Sequence, residues 1–300
     1  MHLLIILNVD LPAMHCLARF QAELAPVPTV TSVFCDRHWV TDVQDTGFMK
    51  ILLTNDDGIY ASGLWALYDR LALTNQVTVV APDRERSAVG HGITLHQPLR
   101  SVRVRFNGCS HGVSVNGTPA DCVKLGLTEI LETRPDLVIS GINPGENVGV
   151  NINYSGTVAA AREAALYGVA AIAVSIQGRK ARHLDAAAIF VERLARYVVK
   201  HGLPFGTILN VNVPDLPAAE TAGVRISRQG LTRVSEYFEK RVDPRNRTYF
   251  WPGMDKQEFE NHPDVDGRAL GENFISVTPI KCDMTDYDML KDIRAWNLDF

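Results

Sequence analysis

From Met49 onward the chain alternates short apolar runs with segments of helical spacing, and this alternation restricts its fold more than any other feature. KILLTN (50–55) is an apolar run that ends in Asp-Asp-Gly; a run of this length bounded by turn residues reads as a buried strand. LWALYDRLALT (64–74) has helical spacing, and VTVVAP (77–82) is a second buried strand closed by Pro82. Strand, helix, strand at this separation forms a βαβ unit, which implies a parallel sheet. The pattern continues. Thr118-Pro119-Ala120-Asp121 has proline at a first helical position and predicts a helix to about Leu131. DLVIS (136–140) is another strand, Ser155 or Thr157 caps a helix through AAAREAALYG, and Gly168 ends it. VAAIAVSI (169–176), a helix over 184–201 and TILNVNVP (207–214) follow. The predicted fold class is α/β: a Rossmann-like, doubly wound, mostly parallel sheet.

Two regions fall outside the alternation. After about residue 228 the stretch RQGLTRVSEYFEKRVDPRNRTYFWPG is charged and aromatic, and reads as an extended β-rich arm or hairpin. FISVTPI (274–280) then reads as a strand, and TDYDMLKDIRAW (285–296) as a terminal helix capped by Thr285. Residues 1–48 mix an apolar opening with a polar stretch. They read as an extension that is poorly ordered or the product of an upstream start codon, with an edge element packed on the core as the alternative. The expected organisation is therefore 1–48 extension, 49–228 core, and 229–300 arm, strand and helix.

Composition narrows the partners. At 46% hydrophobic and 21% charged residues, the chain can bury a sizeable core. A net charge of −4 offers no basic excess for gripping a nucleic acid duplex. The opening MHLLIILNVDLP is short, lacks a basic flank and is broken by Asp10, and no run approaches the about 18 apolar residues of a membrane helix. Five cysteines without a C-x-x-C pair argue against a disulfide scaffold or zinc site, and fit a reduced cytoplasmic compartment.

In an open parallel sheet, ligands bind beyond the carboxyl ends of the strands. Asn55-Asp56-Asp57-Gly58 follows the first strand, and Asp83 to Gly92, including Ser87 and His91, follows the second. Gly141 to Asn147, including Asn143, follows the strand at 136–140 and leads to Tyr154-Ser155-Gly156-Thr157. These loops should share one edge. Adjacent carboxylates with amide, hydroxyl and water oxygens suit Mg²⁺ or Mn²⁺, although Asp-Gly is also a common turn pair. Ser155-Gly156-Thr157 opens a helix, where free amides and the dipole favour phosphate; an ordinary cap is the plainer reading. His91 is a candidate leaving-group acid, and Asn55 a candidate substrate contact. No P-loop, dinucleotide fingerprint or nucleophile elbow is present.

LLTNDDGIYASGL, VVAPDRERSAVGHGITL, VNGTPADCVKLGL, LVISGINPGENVGVNINYSGTVAAAREAALYG and ISVTPI resemble the SurE survival-protein family from Met49 to about Trp296. The resemblance implies one divalent metal ion and hydrolysis of nucleoside 5′- and 3′-monophosphates, with some activity on short polyphosphate. It places the metal ligands on Asp56, Asp57, Ser87 and Asn143, and implies a homodimer or homotetramer with exchanged C-terminal arms. Gly92 stands where the family more often has serine and Glu146 where it often has proline, so substrate preference is where this chain would depart. Residues 1–48 have no counterpart in the family pattern.

The expected mechanism is charge neutralisation of a phosphomonoester by the metal, with Ser155 to Thr157 holding the remaining phosphate oxygens. Asp56 or Asp57 could instead act as nucleophile or general base. The rival readings are a non-catalytic nucleotide-binding regulator on the same fold and a nicotinamide oxidoreductase; the missing glycine fingerprint opposes the second.

Overall fold

The computed structural model describes residues 48–106, 110–231, 236–254, 260–296 and 298; nearly all of the extension expected over 1–48 lies outside them. Among the described residues nine strands form one sheet in the order β3-β4-β2-β1-β5-β6-β7-β11-β8. Its centre is the parallel set β2 (Gln76–Pro82), β1 (Lys50–Thr54), β5 (Leu137–Pro144), β6 (Ala170–Ile176) and β7 (Thr207–Val213).

Side-chain alternation divides the core. Ile51 and Leu53 of β1 join Leu137 and Ile139 of β5 on one face, against helices α1 (Ser62–Leu71) and α4 (Leu184–His201). Leu52 and Val138 face the other way, toward α2 (Pro119–Leu125) and α3 (Gly156–Leu166). On that second face β6 presents Ala171 and Ala173 to Ala160, Ala161, Ala164 and Ala165 of α3. Small residues on both partners pack the helix against the sheet, and at its start Thr157 reaches Asp56 in the loop after β1. Helices on both faces make the fold doubly wound, as expected.

Several boundaries follow from local chemistry. Thr118 caps α2 in a capping box with Asp121, and Ser155, not Thr157, caps α3 by accepting from the Val158 amide. The helix expected to about Leu131 keeps α geometry only to Leu125 and runs on to Ile130 as a wider π turn. The last helix, α6 (Tyr287–Arg294), is capped by Asp286, whose side chain accepts from the Asp288 and Met289 amides; Thr285 is not the cap.

Elements that the alternation did not reveal lie at the edges. The antiparallel pair β3 (Ser101–Phe106) and β4 (Ser110–Val115) extends the sheet beyond β2. At the opposite edge β11 (Ile275–Lys281) runs antiparallel to β7 and carries the short β8 (Val224–Ile226), while α5 (Asp266–Gly271) packs nearby. The arm contains a separate hairpin of β9 (Glu236–Val242) and β10 (Thr248–Met254). Its turn is held by Asp243, which accepts from the Arg245 and Arg247 amides. Among the described residues no helix is long and apolar enough to cross a membrane.

Candidate metal and phosphate site

The loops after β1, β2, β5 and β6 surround a cavity of about 710 Å³ at the carboxyl edge of the sheet. Asp56, Asp57, Ser87, Asn143 and Ser155 all line it. The juxtaposition depends on local devices in each loop. After β1, Asn55 accepts from the Gly58 amide at 3.2 Å and donates to the Gly58 carbonyl at 2.9 Å, which closes a tight turn. Gly58 takes φ +99° there, and a Cβ would come within 3.0 Å of the Arg84 backbone, so glycine is required. The turn leaves Asp56 and Asp57 at the cavity, and the Arg86 amide donates to the Asp56 carbonyl at 2.7 Å, joining the second loop to the first.

The two carboxylates differ. Asp56 is buried, and its Oδ1 accepts from the Thr157 hydroxyl at 2.5 Å. Burial raises its pKa against the lowering effect of the Thr157 hydroxyl and amide. Asp57 has a buried Oδ2 that no described residue hydrogen-bonds. Burial, then the charges of Asp56 and Glu85, push its pKa up to about 7. Two crowded carboxylates, one of them unsatisfied, are costly alone, and a cation reverses that cost.

The other donors are neutral oxygens. The Asn143 side-chain amide donates to the Gly145 carbonyl at 2.6 Å, so its Oδ1 remains an acceptor. The Ser87 hydroxyl donates to Glu85 at 2.6 Å and keeps lone pairs of its own. Among the described residues no group of three or more His, Cys, Asp or Glu is placed to hold a metal. A cation here would therefore combine two carboxylates with amide, hydroxyl and water oxygens. That all-oxygen set fits a hard ion such as Mg²⁺ or Mn²⁺ and suits Zn²⁺ poorly.

The remaining sequence candidates occupy different positions. Asn55 is fully buried and locked to Gly58; it shapes the loop and is not among the lining residues. Thr157 is fully buried, and its hydroxyl goes to Asp56 instead of to a phosphate. Gly156 lets the two approach, since a Cβ would lie 2.8 Å from the Asp56 Cβ. Of the three residues expected to hold phosphate, Ser155 alone lines the cavity. His91 is not among the lining residues: its ring pairs with Glu163 at 2.7 Å, and Lys124 stands on the same carboxylate. That arrangement braces the second loop against α3 and α2 and gives no support to His91 as a leaving-group acid.

The sequence reading missed Arg179, which lines the cavity from the loop after β6. The rule that ligands collect at strand ends applies equally to QGRK (177–180), so the signal was available. Asn147 was also passed over. Its amide donates to Asn212, its side chain donates to Ser175, and its carbonyl accepts from Asn210 and Asn212, which anchors the third loop on β6 and β7.

Comparison with known proteins places this geometry in context. The family model described as Survival protein SurE matches residues 51–236. The 5′-nucleotidase SurE of Desulfatibacillum aliphaticivorans is 56% identical over 251 residues, covering 84% of this chain and 99% of the relative. That of Syntrophobacter fumaroxidans is 49% identical, covering 83% and 100%. The crystal structure of the SurE protein from Aquifex aeolicus superposes with a TM-score of 0.71 at 38% identity, over 82% of this chain and 98% of that one.

Proposed function

Because this chain belongs to the SurE survival-protein family, we propose that it is a 5′-nucleotidase, a phosphoric monoester hydrolase that converts nucleoside monophosphates to nucleoside and phosphate. One observation supports a metal-dependent reaction above all others: Asp56 and Asp57 meet at the cavity wall, and the Asp57 Oδ2 is buried without a partner among the described residues. We assign Asp56, Asp57, Ser87 and Asn143 as the ligands of one divalent ion.

When bound, such an ion supplies charge neutralisation at the phosphate and lowers the pKa of water. The chain's own groups do the rest. Thr157 fixes the Asp56 carboxylate in one orientation, and the Asn55 turn holds the pair at the cavity. Ser155 stands at the start of α3, where the helix dipole favours an anion beside the carboxylates. The cavity, about 710 Å³, falls in the range that encloses a small ligand. Nucleoside 3′-monophosphates and short polyphosphate are further substrates in this reading.

The relatives named 5′-nucleotidase favour an enzyme over a non-catalytic nucleotide-binding regulator on the same fold. The hairpin leaves Phe238, Phe250 and Trp251 in solvent, and we infer that these rings are covered in a homodimer or homotetramer. Free thiols at Cys122 and Cys282 accord with a cytoplasmic enzyme.

The deciding experiment is phosphate release from a nucleoside 5′-monophosphate. EDTA should abolish it, and Mn²⁺ or Mg²⁺ should restore it. Full turnover in metal-free buffer would overturn the assigned site.

A further inference from the structure

The cavity wall carries Asp56, Asp57, Glu85 and Glu146, and against these four carboxylates Arg179 is the single cation among the lining residues. The residues assigned to the metal come from the loops after β1 and β2 and from the end of β5, whereas Arg179 comes from the loop after β6. In the sheet β1 and β6 are separated by β5. Two strand spacings put the Arg179 loop roughly 10 Å to the side of the Asp56–Asp57 loop. The guanidinium has five donors and no acceptor, and its planar fork matches a phosphate. It forms no hydrogen bond or ion pair with any described residue. Its loop is held all the same: the Glu146 carboxylate accepts from the Gly178 amide at 3.2 Å, tying the loop after β6 to the loop after β5.

We propose that Arg179 is a specificity-determining residue that binds a second phosphate of the substrate, away from the one hydrolysed, and that Glu146 is the positioning residue that holds its loop over the cavity. The inference rests on the nucleotidase reading. It explains how a wall with two carboxylates outside the metal set, Glu85 and Glu146, can admit a substrate with extra negative charge. The substrate class it selects is the nucleoside 3′,5′-bisphosphate, in preference to the monophosphate alone.

The test compares kcat and KM for a nucleoside 5′-monophosphate and the matching 3′,5′-bisphosphate, using Mn²⁺-loaded wild type, R179A, R179K and E146A. R179A should raise KM for the bisphosphate about tenfold relative to the monophosphate, with kcat little changed, because a charge-assisted contact made equally in ground and transition states is lost. R179K should retain part of the preference as a point charge. E146A separates two effects. Removing a negative charge by itself would favour the more anionic substrate, so a fall in bisphosphate preference identifies loss of loop position; a rise would overturn the role given to Glu146. A substrate ratio in R179A within about twofold of wild type would overturn the role of Arg179. Wild type that releases phosphate from neither substrate would instead defeat the nucleotidase reading itself.

Discussion

At the scale of single residues, the site is organised around two neighbouring carboxylates held differently. Asp56 is oriented by Thr157, while Asp57 has an unpaired buried oxygen and a pKa pushed up to about 7, by burial first and by Asp56 and Glu85 next. If both hold the metal, neutralising either removes part of the charge on which transition-state stabilisation depends. Asp56→Asn and Asp57→Asn should each lower kcat by about a hundredfold or more, since such stabilisation supplies several kcal/mol. Steady-state rates at saturating metal measure this, and near wild-type rates in both variants would remove the pair from the mechanism.

At the scale of elements, α3 links most of the site. Its first residue, Gly156, packs on Asp56, and an added Cβ would stand 2.8 Å from the Asp56 Cβ and 2.9 Å from Oδ2. Gly156→Ala should therefore displace the helix start, at an overpacking cost of about 1–3 kcal/mol. Activity should fall further than that loss of stability explains, because the displaced group is a proposed ligand. Urea unfolding alongside turnover would show it; an unchanged rate would mean Asp56 tolerates the shift.

Farther along α3, Glu163 receives His91 from the second loop and Lys124 from α2. The His91 hydrogen bond, outweighing burial and aided by the nearby charges, holds its carboxyl below the ordinary value of 4.5. A depressed folded pKa means the folded state binds fewer protons than the unfolded one. The contribution is thus complete above 4.5 and is lost as pH falls through the folded value. Thermal stability should drop in that acid window, and Glu163→Gln should flatten the drop. An identical acid profile in wild type and variant would show that the cluster adds nothing.

At the scale of the whole molecule, the question is where the folding unit starts. Met49 is buried, its amide donates to the Asn75 side chain at 3.0 Å, and its carbonyl accepts from the Gln76 amide at 2.9 Å. The sheet is therefore tied in from that residue. We expect a protein beginning at Met49 to fold, assemble and hydrolyse nucleotides like the full chain. Thermal melts, gel filtration and rates compare the two. A stability loss beyond about 2 kcal/mol, the worth of one or two large apolar side chains, would make the preceding segment part of the fold.

The sequence by itself determined the order of the central strands and helices and the sheet edge at which the candidate residues meet. Apolar runs and helical periodicity are local signals, and a parallel sheet fixes which loops share an end. For that reason Asp56, Asp57, Ser87 and Asn143 are legible as a group in the amino-acid order alone. Edge elements such as β3, β4 and β8 are not, because half-exposed strands lack a strong apolar run. Tertiary structure alone decided what each polar side chain does. Thr157 reaches Asp56 from 101 residues away, and Glu163 takes His91 from 72 residues away. Asp266 holds the Gly149 amide across 117 residues and also accepts from Gly230, tying the start of the arm to the cavity loop. A hydroxyl at a helix start can serve a phosphate, a cap or a carboxylate with equal chemical ease. Which one it meets depends on what the packed helix start is set against, and here Gly156, where a Cβ would lie 2.8 Å from the Asp56 Cβ, leaves room for Thr157 to meet that carboxylate.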